Sequence, residues 1–106
     1  MAPTISAYRI SVQMRVAAGF TETGSFLIGT DKSAATALFD QLEGRKHENP
    51  SSLLRLCLIT RENEQDYILQ LLDCTLDEMA ENIRTITKET FRLLNLEPNT
   101  NTDILL

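Results

Sequence analysis

From Tyr8 to Val16 the chain alternates: Tyr8, Ile10, Val12, Met14 and Val16 are apolar, and Arg9, Ser11, Gln13 and Arg15 stand between them. A repeat of two is that of a strand, because side chains on a helix return to one face only every ~3.6 residues. The stretch therefore predicts a β-strand with one face on a core and the other in water, the pattern of an antiparallel sheet. An all-helical fold is excluded. The apolar face of such a strand needs neighbouring strands and a second layer to cover it.

A partner strand is expected through residues 25–28, closing at Gly29, with the reversal between Ala18 and Gly24. Asp31 is placed to cap a helix, its carboxylate accepting from the free N–H groups of the first turn. Ala35, Leu38, Phe39 and Leu42 follow at helical spacing, and Gly44 stands where a left-handed C-cap is wanted. Residues 45–52 form a polar loop interrupted by Asn49-Pro50. Residues 53–60 and 67–73 read as the third and fourth strands around a charged tip at 61–66.

Thr75-Leu76-Asp77-Glu78 is a capping box, in which the hydroxyl and the carboxylate each accept from the other residue's backbone N–H. Asp77 and Glu78 also suit the positive end of the helix dipole. This helix is expected to run to about Leu96 and to stop before Pro98. At ~100° per residue, Leu76, Met79, Ala80, Ile83, Ile86, Thr87, Thr90, Phe91 and Leu94 share one arc, which is the predicted core face, with Ile83 at its centre.

The element order is thus ββαββα. The distance from first strand to helix cap is alike in the two halves, Tyr8 to Asp31 and Leu53 to Thr75, without residue-level repetition. The fold class predicted is α+β: a two-layer sandwich, a four-stranded antiparallel sheet with two helices on one face. A chain of 106 residues, 42% hydrophobic, is enough for one core. Residues 1–98 are read as that single domain, and 99–106 as a polar C-terminal tail with an apolar tip, Ile104-Leu105-Leu106.

Pairing Thr60 with Tyr67 in an uninterrupted second hairpin gives two apolar faces. Leu54, Leu56, Leu58, Tyr67, Leu69 and Leu71 share the first, which belongs under the helices. Leu53, Cys57, Ile59, Ile68, Leu72 and Cys74 share the second, diluted by Arg55 and Gln70. A face so apolar is rarely left bare in water, whereas the outer face of the first strand is polar. Leu53, Cys57, Ile59, Ile68 and Leu72 are therefore the candidate interface, to be covered by a second copy, another protein or the tail. Symmetric self-association is the favoured reading.

Signals for chemistry are weak when set beside their ordinary explanations. His47 is the single histidine and sits in a polar loop, as a solvated residue would. Cys57 and Cys74 lack metal-ligand spacing, and the assumed register holds them too far apart for a disulfide, so both are expected as free buried thiols. Cys74 precedes a helix N-terminus, which lowers a thiol pKa, but packing on Met79 is the plainer role. Glu62, Glu64 and Asp66 at the hairpin tip lack the glycine and closing glutamate of a calcium loop, and Asp73, Asp77, Glu78 and Glu81 read as an ordinary acidic helix start. Gly19, Gly24 and Gly29 fit no phosphate-binding pattern. No catalytic residue, metal or cofactor is predicted.

The net charge of −5 opposes nucleic-acid binding, because such affinity rests on Lys and Arg neutralising phosphates. Arg9 and Arg15 are the only cations expected on the open face, without the aromatic residues of an RNA-binding sheet. The start Met1-Ala2-Pro3-Thr4 has no basic and apolar leader pattern, and no apolar run has the length of a membrane span, so the cytoplasm is the default compartment. The expected function is that of a small interaction or accessory module, homodimeric through its sheet face and not an enzyme. The alternative is an enzyme or small-ligand binder whose site forms at a subunit interface.

Overall fold

The computed structural model describes residues 6–95. The expected helix stop at Pro98 and the tail 99–106 lie outside the described residues. The elements are β1 (Ala7–Val16), β2 (Gly19–Gly29), α1 (Lys32–Asp40), β3 (Leu54–Glu62), β4 (Gln65–Cys74) and α2 (Leu76–Asn95). The order is ββαββα, and the four strands form one antiparallel sheet in the order β2-β1-β3-β4. Each hairpin is local, and the two meet along β1 and β3, with Ile10 opposite Leu58 and Val12 opposite Leu56.

Both helices cover one face. Their Ala35, Leu38, Phe39, Met79 and Ile86 join Tyr8, Ile10, Ile28, Leu56, Leu58 and Leu72 of the sheet in a single buried cluster. The caps behave as the residue types dictate. Asp31 Oδ1 accepts from the Ala34 N–H at 3.2 Å. At α2 the Thr75 N–H donates to Glu78 Oε1 at 2.9 Å, and the Glu78 N–H donates to Thr75 Oγ1 at 3.1 Å.

The turns are tighter than the sequence implies. The first reversal is Ala17-Ala18, so β2 begins at Gly19 and takes in the polar stretch read as turn. The second is Asn63-Glu64, both with positive φ, which is the backbone of a two-residue hairpin matched to strand twist. Gly44 is not a left-handed cap. Its φ of +148° accompanies a close approach to β4, where a Cβ would lie 2.7 Å from the Asp73 carbonyl oxygen. Beside it Arg45 and Asp73 exchange both backbone hydrogen bonds at 2.8 Å, closing the last rung of β4 with the loop.

Two further differences matter for function. The second hairpin does pair Thr60 with Tyr67, but a register shift between Leu58 and Ile59 leaves Leu69 unpaired, so that Leu58 faces Gln70. One extra residue inverts the alternation beyond it. Leu72, assigned from sequence to the outer face, therefore pairs with Leu56 and lies in the core at 1% exposure, while Leu71 turns outward beside Cys57. Cys74 moves inward with Leu72.

Second, α2 is rolled away from the predicted arc. Its buried residues are Met79, Asn82, Ile86 and Thr90, whereas Leu76, Ala80, Thr87 and Phe91 are exposed and Ile83 is half-buried. The cause is Asn82. Its side-chain amide donates to the Glu43 carbonyl at 2.8 Å while its Oδ1 accepts from the Glu43 N–H at 2.9 Å. A buried amide satisfied in this way anchors the loop after α1 onto α2, and the helix turns to present it.

Candidate interaction surface

The outer face of the sheet carries two rows of side chains, each reaching across all four strands. In the first, Arg9 of β1 donates to Glu22 of β2 at 3.2 Å and to Asp66 of β4 at 3.3 Å. β3 lies between β1 and β4, so the Arg9 side chain must pass above it. Ser11 donates to the same Glu22 at 2.6 Å, and Arg61 of β3 donates to Asp66 at 3.0 Å. The Ser11 hydroxyl first, and Arg9 after it, hold the Glu22 carboxyl below its ordinary pKa against the opposing effect of burial. Arg9 does the same for Asp66.

In the second row Phe20 of β2 lies against two guanidinium groups, Arg55 at 4.0 Å and Arg15 at 4.7 Å from its ring centre. Arg55 then donates to the buried Asp73 through Nε at 2.6 Å and a terminal nitrogen at 3.2 Å. Asp73 also accepts from the Asn49 N–H at 2.8 Å, and Arg15 donates to the Ser52 carbonyl at 2.8 Å, so the row ties down the loop as well. Burial works against the charge of Asp73, but the bonds from Arg55 and Asn49 outweigh it and leave the carboxyl below its usual range.

These rows decide the fate of the sequence-predicted interface. Cys57 and Ile59 do point outward, yet they are 1% and 5% exposed, covered by the chain's own side chains. Leu72 belongs to the core. Leu53 and Ile68 are 64% and 61% exposed but stand well apart, one before the start of β3 and the other beside Ile59 on β4. The five residues do not form one patch. Their neighbours reveal why: Arg9 and Asp66 are distant in sequence, and no local pattern registers their meeting.

The apolar surface that is open lies elsewhere. A groove of about 610 Å³ sits at one end of the sheet, where β1, β3, β4, the loop before β3 and the start of α2 converge. Met14, Leu53, Leu54, Cys74 and Leu76 line its apolar part. Leu76 is 73% exposed at the first position of α2. From it the unburied part of the helix stripe continues through Ala80, Ile83 and Thr87 to Phe91, at the spacing of one helix face. Sequence periodicity identified this stripe and assigned it to the core; the roll of α2 imposed by Asn82 puts it outside.

Reactive groups are scarce. Burial raises the Cys57 thiol, and burial pushes the Cys74 thiol up to about 11 despite a bond from Asn82, the reverse of what a nearby helix N-terminus would do. Both cysteines are free; Cys57 faces outward, while Cys74 points into the core. His47 is exposed in the loop. Among the described residues no three His, Cys, Asp or Glu side chains are grouped to hold a metal ion, and no helix is long and apolar enough to cross a membrane. Comparison with protein-family models, with curated proteins and with solved structures finds no match to this chain.

Proposed function

We propose that this protein is an interaction module that holds an apolar segment of another protein along the groove and the exposed stripe of α2. The observation that carries the reading is the continuity of the two at Leu76, which belongs both to the groove wall and to the helix stripe. Exposed apolar surface of this extent, rimmed by charged residues such as Arg45, Glu81, Arg84 and Lys88, marks contact sites in soluble proteins. A partner helix fits such a surface, because its i, i+3, i+4 and i+7 side chains match a stripe of the same period. Self-association through the centre of the outer sheet face loses its original motive, since that centre is already covered.

A second reading has one observation in its favour. The volume of the groove falls within the ~300–1,000 Å³ of small-molecule sites, and its lining is mainly apolar with a few polar groups. A small apolar molecule would then occupy it. Photo-crosslinking in the source cells separates the two. A benzophenone side chain at position 76 or 87 is expected to capture the same protein, and one at position 22 on the outer sheet face to capture none. Capture of no protein from either helix position overturns the module reading. A retained small mass in native mass spectrometry, lost in Leu76→Arg, supports the second.

A further inference from the structure

The two edges of the sheet are not protected alike. β2 has two register irregularities against β1 and a run of Thr21, Glu22, Thr23, Gly24 and Ser25, all exposed and mostly polar. Two bulges together with an exposed polar run discourage another strand from pairing, whereas β4 carries one bulge, at Leu69, amid apolar residues. β4 forms the opposite edge, and from Gln65 to Leu72 no backbone hydrogen bond closes its outer side among the described residues; only Asp73 is closed, by Arg45. Tyr67, Ile68 and Leu69 are exposed in succession there, and β4 contains no Lys or Pro. A groove of about 350 Å³ runs beside this edge, lined by Ile68, Leu69, Gln70, Leu71 and Lys46.

We infer that two copies of this chain pair antiparallel through β4, about a two-fold axis near Ile68, joining their sheets edge to edge. The occupant is argued from the charges at the ends of the free edge. One end is the hairpin tip, where Glu64 is exposed while Asp66 is already paired with Arg9 and Arg61; beside the other end stands Lys46, inside the groove. Glu43 and Glu48 lie near Lys46 in sequence, but neither lines the groove. Antiparallel pairing about a two-fold axis brings each acidic tip to the partner's basic end, twice over, whereas parallel pairing would set tip against tip. The Arg45–Asp73 rung fixes where the incoming strand stops, because it occupies the row the partner would extend into. The bulge at Leu69 lies next to the proposed axis, and the two-fold would repeat it in both strands.

The surface is separate from the α2 stripe, and it is tested separately. Sedimentation equilibrium of the full chain at ~100 μM is expected to show a dimer with a dissociation constant in the micromolar range. Ile68→Lys, at an exposed position, is expected to give monomer with unchanged far-ultraviolet dichroism. Lys46→Glu and Glu64→Lys are each expected to weaken association about fivefold, from two symmetry-related contacts, and the double variant to restore it. A monomeric wild-type chain at that concentration overturns the inference. So does a dimer that survives Ile68→Lys, or a charge exchange without recovery. Monomeric wild type that instead protects the β4 amides from exchange on adding a purified partner would assign the edge to a strand of that other protein.

Discussion

Gly44→Ala is the sharpest perturbation this structure offers, because the cost can be worked from two independent distances. The backbone there has φ +148°, a conformation that residues with a Cβ rarely adopt. Holding such a conformation costs about 1–3 kcal/mol. The new methyl group would also meet the Asp73 carbonyl oxygen at 2.7 Å and Leu72 Cγ at 2.8 Å. Neither neighbour can swing aside: the carbonyl is bonded to Arg45, and Leu72 is packed in the core. Overpacking of this kind adds roughly 1–3 kcal/mol. A total of about 2–6 kcal/mol is a large part of the ~5–15 kcal/mol of a domain. Urea denaturation followed by far-ultraviolet dichroism measures it. Gly24→Ala is the control, since no atom lies within 4 Å of its Cβ and its φ is not in the positive range; it should leave stability within about 0.5 kcal/mol or raise it. If Gly44→Ala unfolds at the same midpoint as Gly24→Ala, the close approach of this loop to β4 is wrong.

Ile86 is fully buried on α2 and Ile83 only half-buried, so Ile86→Ala should cost ~2–5 kcal/mol and Ile83→Ala clearly less; equal losses would restore the arc expected from periodicity alone. The buried Thr60 hydroxyl has no partner among the described residues, and Thr60→Val should stabilise by about 1 kcal/mol, read from the thermal midpoint. A loss of stability on that change would reveal a bond the hydroxyl makes. Asp73 titrates below the ordinary carboxylate, so between its folded value and about pH 4 the unfolded chain binds more protons than the folded one. Its contribution is complete above that window and is lost as the pH falls through the folded value. The gap in urea midpoint between wild type and Asp73→Asn should therefore shrink from pH 6 to pH 3; a constant gap would mean that the ion pair with Arg55 contributes nothing.

The architecture was legible because its signals are local. Alternation in β1 spans neighbouring residues, and the capping box at Thr75 needs only the next three. What escaped depends on contacts across the chain. Nothing in the Tyr67-Ile68-Leu69-Gln70 run announces that Leu69 is supernumerary, since the bulge is defined by what β3 presents opposite it. Asn82 has no place in the predicted arc and yet lies on the buried face, because its partners belong to Glu43. Cys57 and Ile59 were read as greasy surface because nothing local shows that Arg9 of β1 crosses β3 to reach Asp66 of β4. Gly44 is the same lesson for the backbone: a glycine after a helix reads as a cap until Asp73 and Leu72 are seen beside it.

The strand order has a consequence for how the molecule comes apart. Each half of the chain is a hairpin followed by a helix, yet neither helix keeps to its own hairpin alone: α1 packs on β1 and also on β3, and α2 packs on β3 and β4 and reaches over the sheet to β2. The halves are laced together like clasped hands. Peeling one from the other means lifting both helices and parting the β1–β3 seam in the same event, so neither half has a stable form to fall back on. Slow-exchanging amides should then be found on both sides of the seam with similar opening free energies, as in a single cooperative unit. Two halves alike in element order are thus expected to unfold as one.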